Sequence, residues 1–351
     1  MACGSLAFFK PNYLQATVRL FFIYHSNNYM KNETFLGDCL IENEKIKSGS
    51  ADLILTDLPF GTIKGLDAGD IKADNNKGYV AGGGYKVEKG WDEVINTDKI
   101  MQIANRILRK NGKMCLFAQE PFTHELKEKA IPNLPFNYRM MWEKNDFANC
   151  LFAKKAMVNF YEDILVFSKN HDTEDLHPLR NYLKECKEKS GMTNKQFNHL
   201  FSDYTNKKGN RDRSVLEHYW AAAQFHLPTQ EIYENILQPT GFFETPYEEL
   251  KEIDNEFKNK FASTFNLWEG KKYKSNILKY KKDYDGHHPT QKPILLLEDL
   301  IKTFSNENDL VVDLTMGSGS TMVACKNTNR NGIGIEMNDE YFKIAEKRIK
   351  L

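Results

Sequence analysis

Asp57-Leu58-Pro59-Phe60 combines groups suited to one task, making an aromatic amine nucleophilic. The lone pair of such an amine is conjugated with its ring and attacks poorly. The Asp57 carboxylate and the Leu58 carbonyl could accept its two N–H bonds, drawing the nitrogen toward a tetrahedral, more reactive state. Pro59 stiffens the turn, and Phe60 offers a flat face on which a base could stack. The run before it, Asp52-Leu53-Ile54-Leu55-Thr56, reads as a strand buried on both faces of a parallel sheet. The tetrapeptide then lies at the carboxyl edge of the sheet, where α/β folds bind ligands. Taken alone, it also fits an ordinary turn, because Asp and Pro both favour turns.

A second constellation lies near the other end. Val311-Val312-Asp313-Leu314 reads as a strand entering a turn with glycines at 317 and 319, and Ser320-Thr321 opens a helix. Glycine lets the backbone approach a ligand closely, and Asp313 can reach across it. Gly332-Ile333-Gly334-Ile335-Glu336 then brings an acid to the tip of the next strand, where a carboxylate can accept both hydroxyls of a ribose. An adenosine-containing ligand fits this pattern. A dinucleotide fits less well, because position 322 of a G-x-G-x-x-G would need glycine and is Met.

The elements that must position these groups alternate. Residues 35 to 50 read as a turn and an amphipathic helix before the strand from Ala51 to Thr56. A long glycine-rich loop follows from Lys64 to Gly90, then a helix from Trp91 to Leu108, a strand from Lys113 to Ala118 and a helix from Phe122 to Lys129. Further strands are expected at Tyr138 to Glu143 and Asp163 to Phe167, and helices at Lys292 to Phe304, Thr321 to Asn327 and Asp339 to Lys350. This is a doubly wound α/β pattern. Between Leu176 and Lys260 it gives way to short charged, aromatic-rich helices, expected at 179–189, 193–201 and 212–225, with Pro228 and Pro239 marking the end. The expected divisions are 1–29, 30–175, 176–262 and 263–351.

The 351 residues carry 48 Lys plus Arg against 48 Asp plus Glu, so any basic surface must be local. Six scattered cysteines without a C-x-x-C pair predict neither a zinc site nor a disulfide framework, and suit a reducing cytoplasm. Leu20 to Tyr24 is too short to span a bilayer, and residues 1 to 29 read as a loose arm or an upstream start.

Together these motifs resemble those of amino-methylating DNA methyltransferases. Asp57-Leu58-Pro59-Phe60 is similar to that family's D-P-P-Y, with Leu58 and Phe60 as variants, and Asp313 to Gly319 is similar to its cofactor motif. His288-Pro289-Thr290-Gln291-Lys292-Pro293 matches its H-P-T-Q-K-P segment. The order, catalytic motif first and cofactor motif last, is that of the β group, as in phage and prophage methylases. The resemblance implies a Rossmann-like sheet of seven mostly parallel strands with a reversed hairpin, a helical insert, and S-adenosylmethionine as cofactor. It implies target-base roles for Asp57, Leu58, Pro59 and Phe60, and cofactor roles for Asp38, Lys292, Asp313, Gly317, Gly319 and Glu336. Gln119, Pro121 and Phe122 fall where the family lines its pocket. No metal is needed.

The expected reaction is methylation of adenine N6 in double-stranded DNA, since Asp rather than Ser stands at 57. Rival readings are cytosine N4, an RNA or protein-glutamine methylase, and an inactive DNA-binding relative. A cognate restriction endonuclease or none, and a monomer or a homodimer, are all compatible with the chain. Lys271, Lys272, Lys274, Lys279, Lys281 and Lys282, with two tyrosines among them, are candidate phosphate contacts, or a solvated charged loop. Met192 to Asn198 and Arg211 to Trp220 are candidates for a helix-turn-helix, or a helical spacer.

Overall fold

The computed structural model describes residues 32–59, 95–148, 157–171, 177–201, 219, 225–283 and 291–350. They fall into two compact units, Glu174–Phe261 and the flanking stretches Met30–Thr173 with Ala262–Leu351.

The flanking unit is one twisted sheet with helices on both faces. Its strands are β1 (Asn32–Leu36), β2 (Ala51–Thr56), β3 (Leu108–Ala118), β4 (Phe136–Ala148), β5 (Asn159–Ser168), β6 (Ile277–Lys279), β7 (Leu310–Asp313) and β8 (Asn331–Glu336). The order across the sheet is β1-β8-β7-β2-β3-β5-β4-β6. All neighbours are parallel except β5, which runs antiparallel to both β3 and β4. The reversed hairpin is therefore β4–β5.

There are eight strands among the described residues, not seven. The two that escaped sequence reading are the edges, β1 and β6. β1 is polar and half exposed, and β6 has three residues, of which only Leu278 is buried. Neither is long enough to show an alternating apolar pattern. β3 also begins earlier than expected. Helix Thr97–Ile107 leads straight into Leu108, and the chain passes through Asn111 at φ 62° before Lys113. This irregularity matches the register shift between Ala51 and Leu53 on β2.

Each face of the sheet buries its own apolar layer, because side chains alternate along a strand. One layer holds Ile54, Leu58, Met114, Leu116, Leu165 and Val312 under helix Thr97–Ile107. The other holds Leu53, Leu55, Cys115, Phe117, Ile164 and Val311 under helices Ile294–Phe304 and Ser320–Asn327.

The second unit is helical. Helices Pro178–Ser190, Asn194–Leu200 and Tyr247–Lys260 enclose a core of Leu179, Leu183, Phe197, Tyr233, Phe243 and Leu250. The unit continues well past Pro239, through the 14-residue helix Tyr247–Lys260 that sequence reading did not separate out. A capping box between Thr193 and Gln196 starts the helix expected at Thr193. Of the expected partner, Arg211 to Trp220, only Tyr219 lies within the described residues. No described helix is long and apolar enough to cross a membrane.

Candidate active site

Four parallel strands lie side by side in the order β1-β8-β7-β2, and each delivers an acid to the same edge. Asp38 follows β1, Glu336 ends β8, Asp313 ends β7 and Asp57 follows β2. Neighbouring strands sit about 4.8 Å apart, so the row runs roughly 14 Å along the carboxyl edge.

The β7–β2 junction is tied tightly. Thr315 Oγ1 donates to the Asp57 carbonyl at 2.9 Å and lies 2.8 Å from the Thr56 hydroxyl. Thr315 N–H donates to Asp313 Oδ1 at 3.1 Å. Burial pushes the Asp313 carboxyl up to about 6, against hydrogen bonds from Thr321, Thr56 and the Thr315 amide.

The turn after β7 passes through Gly317 at φ 52° and Gly319 at φ 80°. Its Gly317 N–H donates to Glu336 Oε2 at 2.9 Å, while Glu336 Oε1 accepts Asn338 N–H at 2.8 Å. Burial also lifts the Glu336 carboxyl, although these amides oppose it. A carboxylate has about four lone-pair positions, so it keeps acceptor capacity for a ligand. Met316 is buried behind the turn, and a side chain on Gly334 would collide with its sulfur. At Gly319 a Cβ would stand 2.8 Å from Ala345 Cβ, in a backbone conformation already costly for L-residues. Gly319→Ala is expected to cost about 1–3 kcal/mol and to weaken cofactor binding. Thermal unfolding with and without S-adenosylmethionine checks it, and an unchanged melting temperature would contradict this account of the turn.

Asp38 accepts the Leu40 amide at 2.8 Å and so caps helix Cys39–Glu42, while the preceding Gly37 N–H donates to the Glu336 carbonyl. That bond fixes Asp38 beside Glu336.

Asp57 is the end of a chain of buried charges. Its Oδ2 accepts from Lys292 Nζ. Lys292 Nζ also lies 3.5 Å from Glu162 Oε2, and Glu162 Oε1 accepts from Lys144 Nζ at 2.9 Å. Phe117 lies beneath, with Lys292 Nζ 5.0 Å from its ring centroid. The order is thus cation, anion, cation, anion. Burial lifts the Asp57 carboxyl above its ordinary range despite Lys292, and the Glu162 charge adds to the rise. Glu162 faces two cations rather than one, and Lys292 and Lys144 hold its carboxyl low in spite of burial. Burial would lower Lys292, but Asp57 and Glu162 overcome it. Asp57 Oδ1 is buried and has no hydrogen-bond partner among the described residues.

Sequence reasoning placed Lys292 at the cofactor, whereas its ammonium sits on Asp57. Sequence reasoning also missed Glu162, Lys144 and Thr315. Lys144 on β4 and Glu162 on β5 lie 18 residues apart in the chain, each beside other charged residues, so no local spacing singles them out. Leu58 buries its side chain in the apolar layer below, which explains an aliphatic residue there and fixes its backbone. Pro59 is half-buried. Phe60, His288, Pro289 and Thr290 lie outside the described residues. Gln119 donates to the Tyr161 carbonyl, Phe122 is buried in the core, and Pro121 precedes helix Phe122–Glu128.

Of the six lysines, Lys274 is turned inward onto Asp299 and Glu269. Lys271 pairs with Glu269 at 2.6 Å and Lys279 with Glu143 at 3.0 Å, both lysines remaining exposed. Lys272 and Lys281 are exposed and Lys282 is half-buried.

Residues 51–347 match the DNA methylase family of N6/N4 methyltransferases. The chain belongs to this family. Type II methyltransferase M.HpaI of Haemophilus parainfluenzae is 50% identical over 62 residues, which is 18% of this chain and 20% of that protein. DNA adenine methyltransferase YhdJ of Escherichia coli (strain K12) is 25% identical over 317 residues, 89% of this chain and 81% of that protein. The first four curated relatives are matched over only 20% to 35% of their own lengths. The crystal structure of the M1.HpyAVI–SAM complex aligns over 91% of this chain and 99% of that one, at 19% identity and a TM-score of 0.47.

S-adenosylmethionine is the methyl donor of the N6/N4 methylases, and the donor set suits it. The carboxylate of Glu336 can accept ribose hydroxyls. The Gly317–Gly319 turn keeps side chains off the approach, and the Asp313 carboxylate can meet the ammonium of the methionine end.

Proposed function

We propose that this chain transfers the methyl group of S-adenosylmethionine to N6 of adenine in double-stranded DNA. The observation that supports this best is the division of labour at Asp57. One oxygen is occupied by Lys292, and the other is buried without a partner among the described residues. A buried unpaired carboxylate oxygen costs free energy unless a ligand supplies its donor. An exocyclic amine has the hydrogens to do so.

The target base must leave the duplex, since its amine is unreachable inside the stack. Asp57 Oδ1 and the Leu58 carbonyl then accept its two N–H bonds, which releases the nitrogen lone pair from conjugation. Asp38, Glu336 and the turn at Gly317 and Gly319 hold the cofactor, which supplies an electrophilic methyl group on sulfur. Asp57 Oδ1 is placed to take the proton that the amine sheds. Positioning supplies much of the rate. Asp at 57, and a relative of nearly full coverage that is a DNA adenine methyltransferase, favour adenine over cytosine. Lys271, Lys272, Lys279, Lys281 and Lys282 serve as phosphate contacts in this reading, because phosphate can displace exposed carboxylate partners. Lys274 is excluded from that role by its buried pairing.

Incubation with labelled S-adenosylmethionine and unmethylated genomic DNA, followed by digestion to nucleosides, tests this directly. Label in N6-methyladenine is the expected result. Label in N4-methylcytosine would keep the mechanism and overturn the base, and no label with cofactor bound would leave a DNA-binding relative.

A further inference from the structure

Glu162 and Lys144 do not touch the row of acids at the carboxyl edge, yet both are buried and both are charged. Their side chains are 13% and 3% exposed. Burying charges is costly even when they pair, and apolar residues of similar volume would often stabilise the fold as well. Their arrangement follows from the pleat. Trp142 on β4 lies opposite Glu162 on β5, and Phe117 on β3 lies opposite Ile164. Lys144 is one pleat beyond Trp142, so it sits diagonal to Glu162 on the same face. Asp57 continues the Leu53–Leu55 side of β2, which faces the same layer. Lys292 enters that layer from the residues just before helix Ile294–Phe304. Three strands and one loop thus converge on a single line of charges.

The geometry points to Glu162, itself held by Lys144, as a positioning residue that keeps the Lys292 ammonium on Oδ2 of Asp57 and leaves Oδ1 for the target amine. This rests on the amine-activating role of Asp57 proposed above. Lysine is a flexible point charge with three rotatable donors. With only Asp57 to bind, its ammonium could swing across both carboxylate oxygens and block the one that must accept from the amine. Glu162, pinned from behind at 2.9 Å, holds its Oε2 at 3.5 Å from the ammonium, a second anchor by charge rather than by a hydrogen bond. Lys144 in turn keeps the Glu162 carboxylate from drawing Lys292 away from Asp57.

A double-variant cycle with Glu162→Gln and Lys292→Met tests the inference. Single-turnover methyl transfer by Glu162→Gln is expected to fall on the order of tenfold, with cofactor affinity unchanged. In the Lys292→Met background, Glu162→Gln should cost nothing further. The pH profile separates positioning from simple charge. Asp57 is faced by Lys292, Glu162, Lys144 and Asp313, and of these Lys292 acts on it most strongly. If Glu162 holds Lys292, its loss lets the ammonium drift, and the acid limb of activity moves to higher pH. If Glu162 is merely a neighbouring negative charge, its removal moves the limb to lower pH.

Thermal unfolding of the same proteins needs no turnover. The double variant should melt at or above Lys292→Met alone. Should Glu162→Gln fold poorly, Lys144→Met combined with Glu162→Leu removes both charges without leaving one unpaired, and should move the acid limb the same way. Additive losses, a downward or absent shift of the limb, or a double variant melting below Lys292→Met would each overturn the inference. Wild-type protein that transfers no label to DNA would instead overturn the function, and the melting cycle would still decide whether Glu162 acts through Lys292.

Discussion

Asp57→Ala is expected to lower single-turnover methyl transfer by about 10²–10³-fold while S-adenosylmethionine still binds with near wild-type affinity. The magnitude is that of deleting one preorganised hydrogen-bonding group aimed at charge that develops in the transition state. The split follows from placement. Asp57 follows β2, whereas the proposed cofactor residues lie elsewhere, Asp313 and Glu336 at the ends of β7 and β8 and Gly317 and Gly319 in the turn after β7. The backbone tie from Thr315 to the Asp57 carbonyl does not involve the side chain and survives the change. Calorimetric cofactor binding beside rapid-quench transfer checks both halves. A variant within a few-fold of wild type would remove Asp57 from the chemistry.

Lys292→Met is expected to act on two observables at once. Without the ammonium, Asp57 and Glu162 face each other in a buried site with only Lys144 as counter-ion. Breaking a buried pair from one side typically costs about 3–5 kcal/mol, so a clear fall in melting temperature follows. The second effect concerns pH. The Asp57 carboxyl must be ionised to accept from the amine, so activity is lost as pH falls through its pKa in the folded protein. Burial already lifts that pKa, and Lys292 is the strongest group pulling it back down. Its removal lifts the pKa further, and the acid limb of kcat/KM moves to higher pH. Stability takes the matching sign. A carboxyl with a folded-state pKa above its unfolded value binds more protons when folded, so the variant loses stability as pH rises through that range. A melting temperature that does not fall with rising pH relative to wild type, or an unmoved acid limb, would exclude the Lys292–Asp57 coupling.

The parts of this site that were legible in the sequence are those whose chemistry is local. Asp57, Asp313 and Glu336 each end a strongly apolar strand, and strand ends in a parallel sheet share an edge whatever the order of the strands. Glycines 317 and 319 announce a tight turn because few other residues tolerate it. The lysine at 292 was legible as a site residue but not as the partner of Asp57, because that contact joins a loop to a strand far away in the chain. Glu162 and Lys144 were invisible for a related reason. Their pairing depends on the β4–β5 register, and a slip of one residue would place them on opposite faces. The lysines from 271 to 282 do not share one environment, because β6 passes through the run. That strand fixes Lys279 beside Glu143, while Lys274 is drawn to Asp299. Edge strands β1 and β6 were too short and too polar to register as strands. Thr315 carried no signal in the sequence, and only the structure explains it, as the hydroxyl that clamps β7 to β2.

That clamp joins residues 258 positions apart, which has a consequence for how the chain is made. Ribosomes add about 5–20 residues per second, so β2 emerges on the order of ten to fifty seconds before the strand that completes it. Throughout that interval the apolar edge of Leu53 and Ile54, which will pair with Val311 and Val312, has no mate. An unpaired apolar edge is a template for association with other chains. Closure of so long a loop is also entropically slow. The half that carries Asp57 therefore waits in the nascent chain for the half that carries the Gly317–Gly319 turn, and the β2–β7 seam is a place where chaperone protection during synthesis should matter.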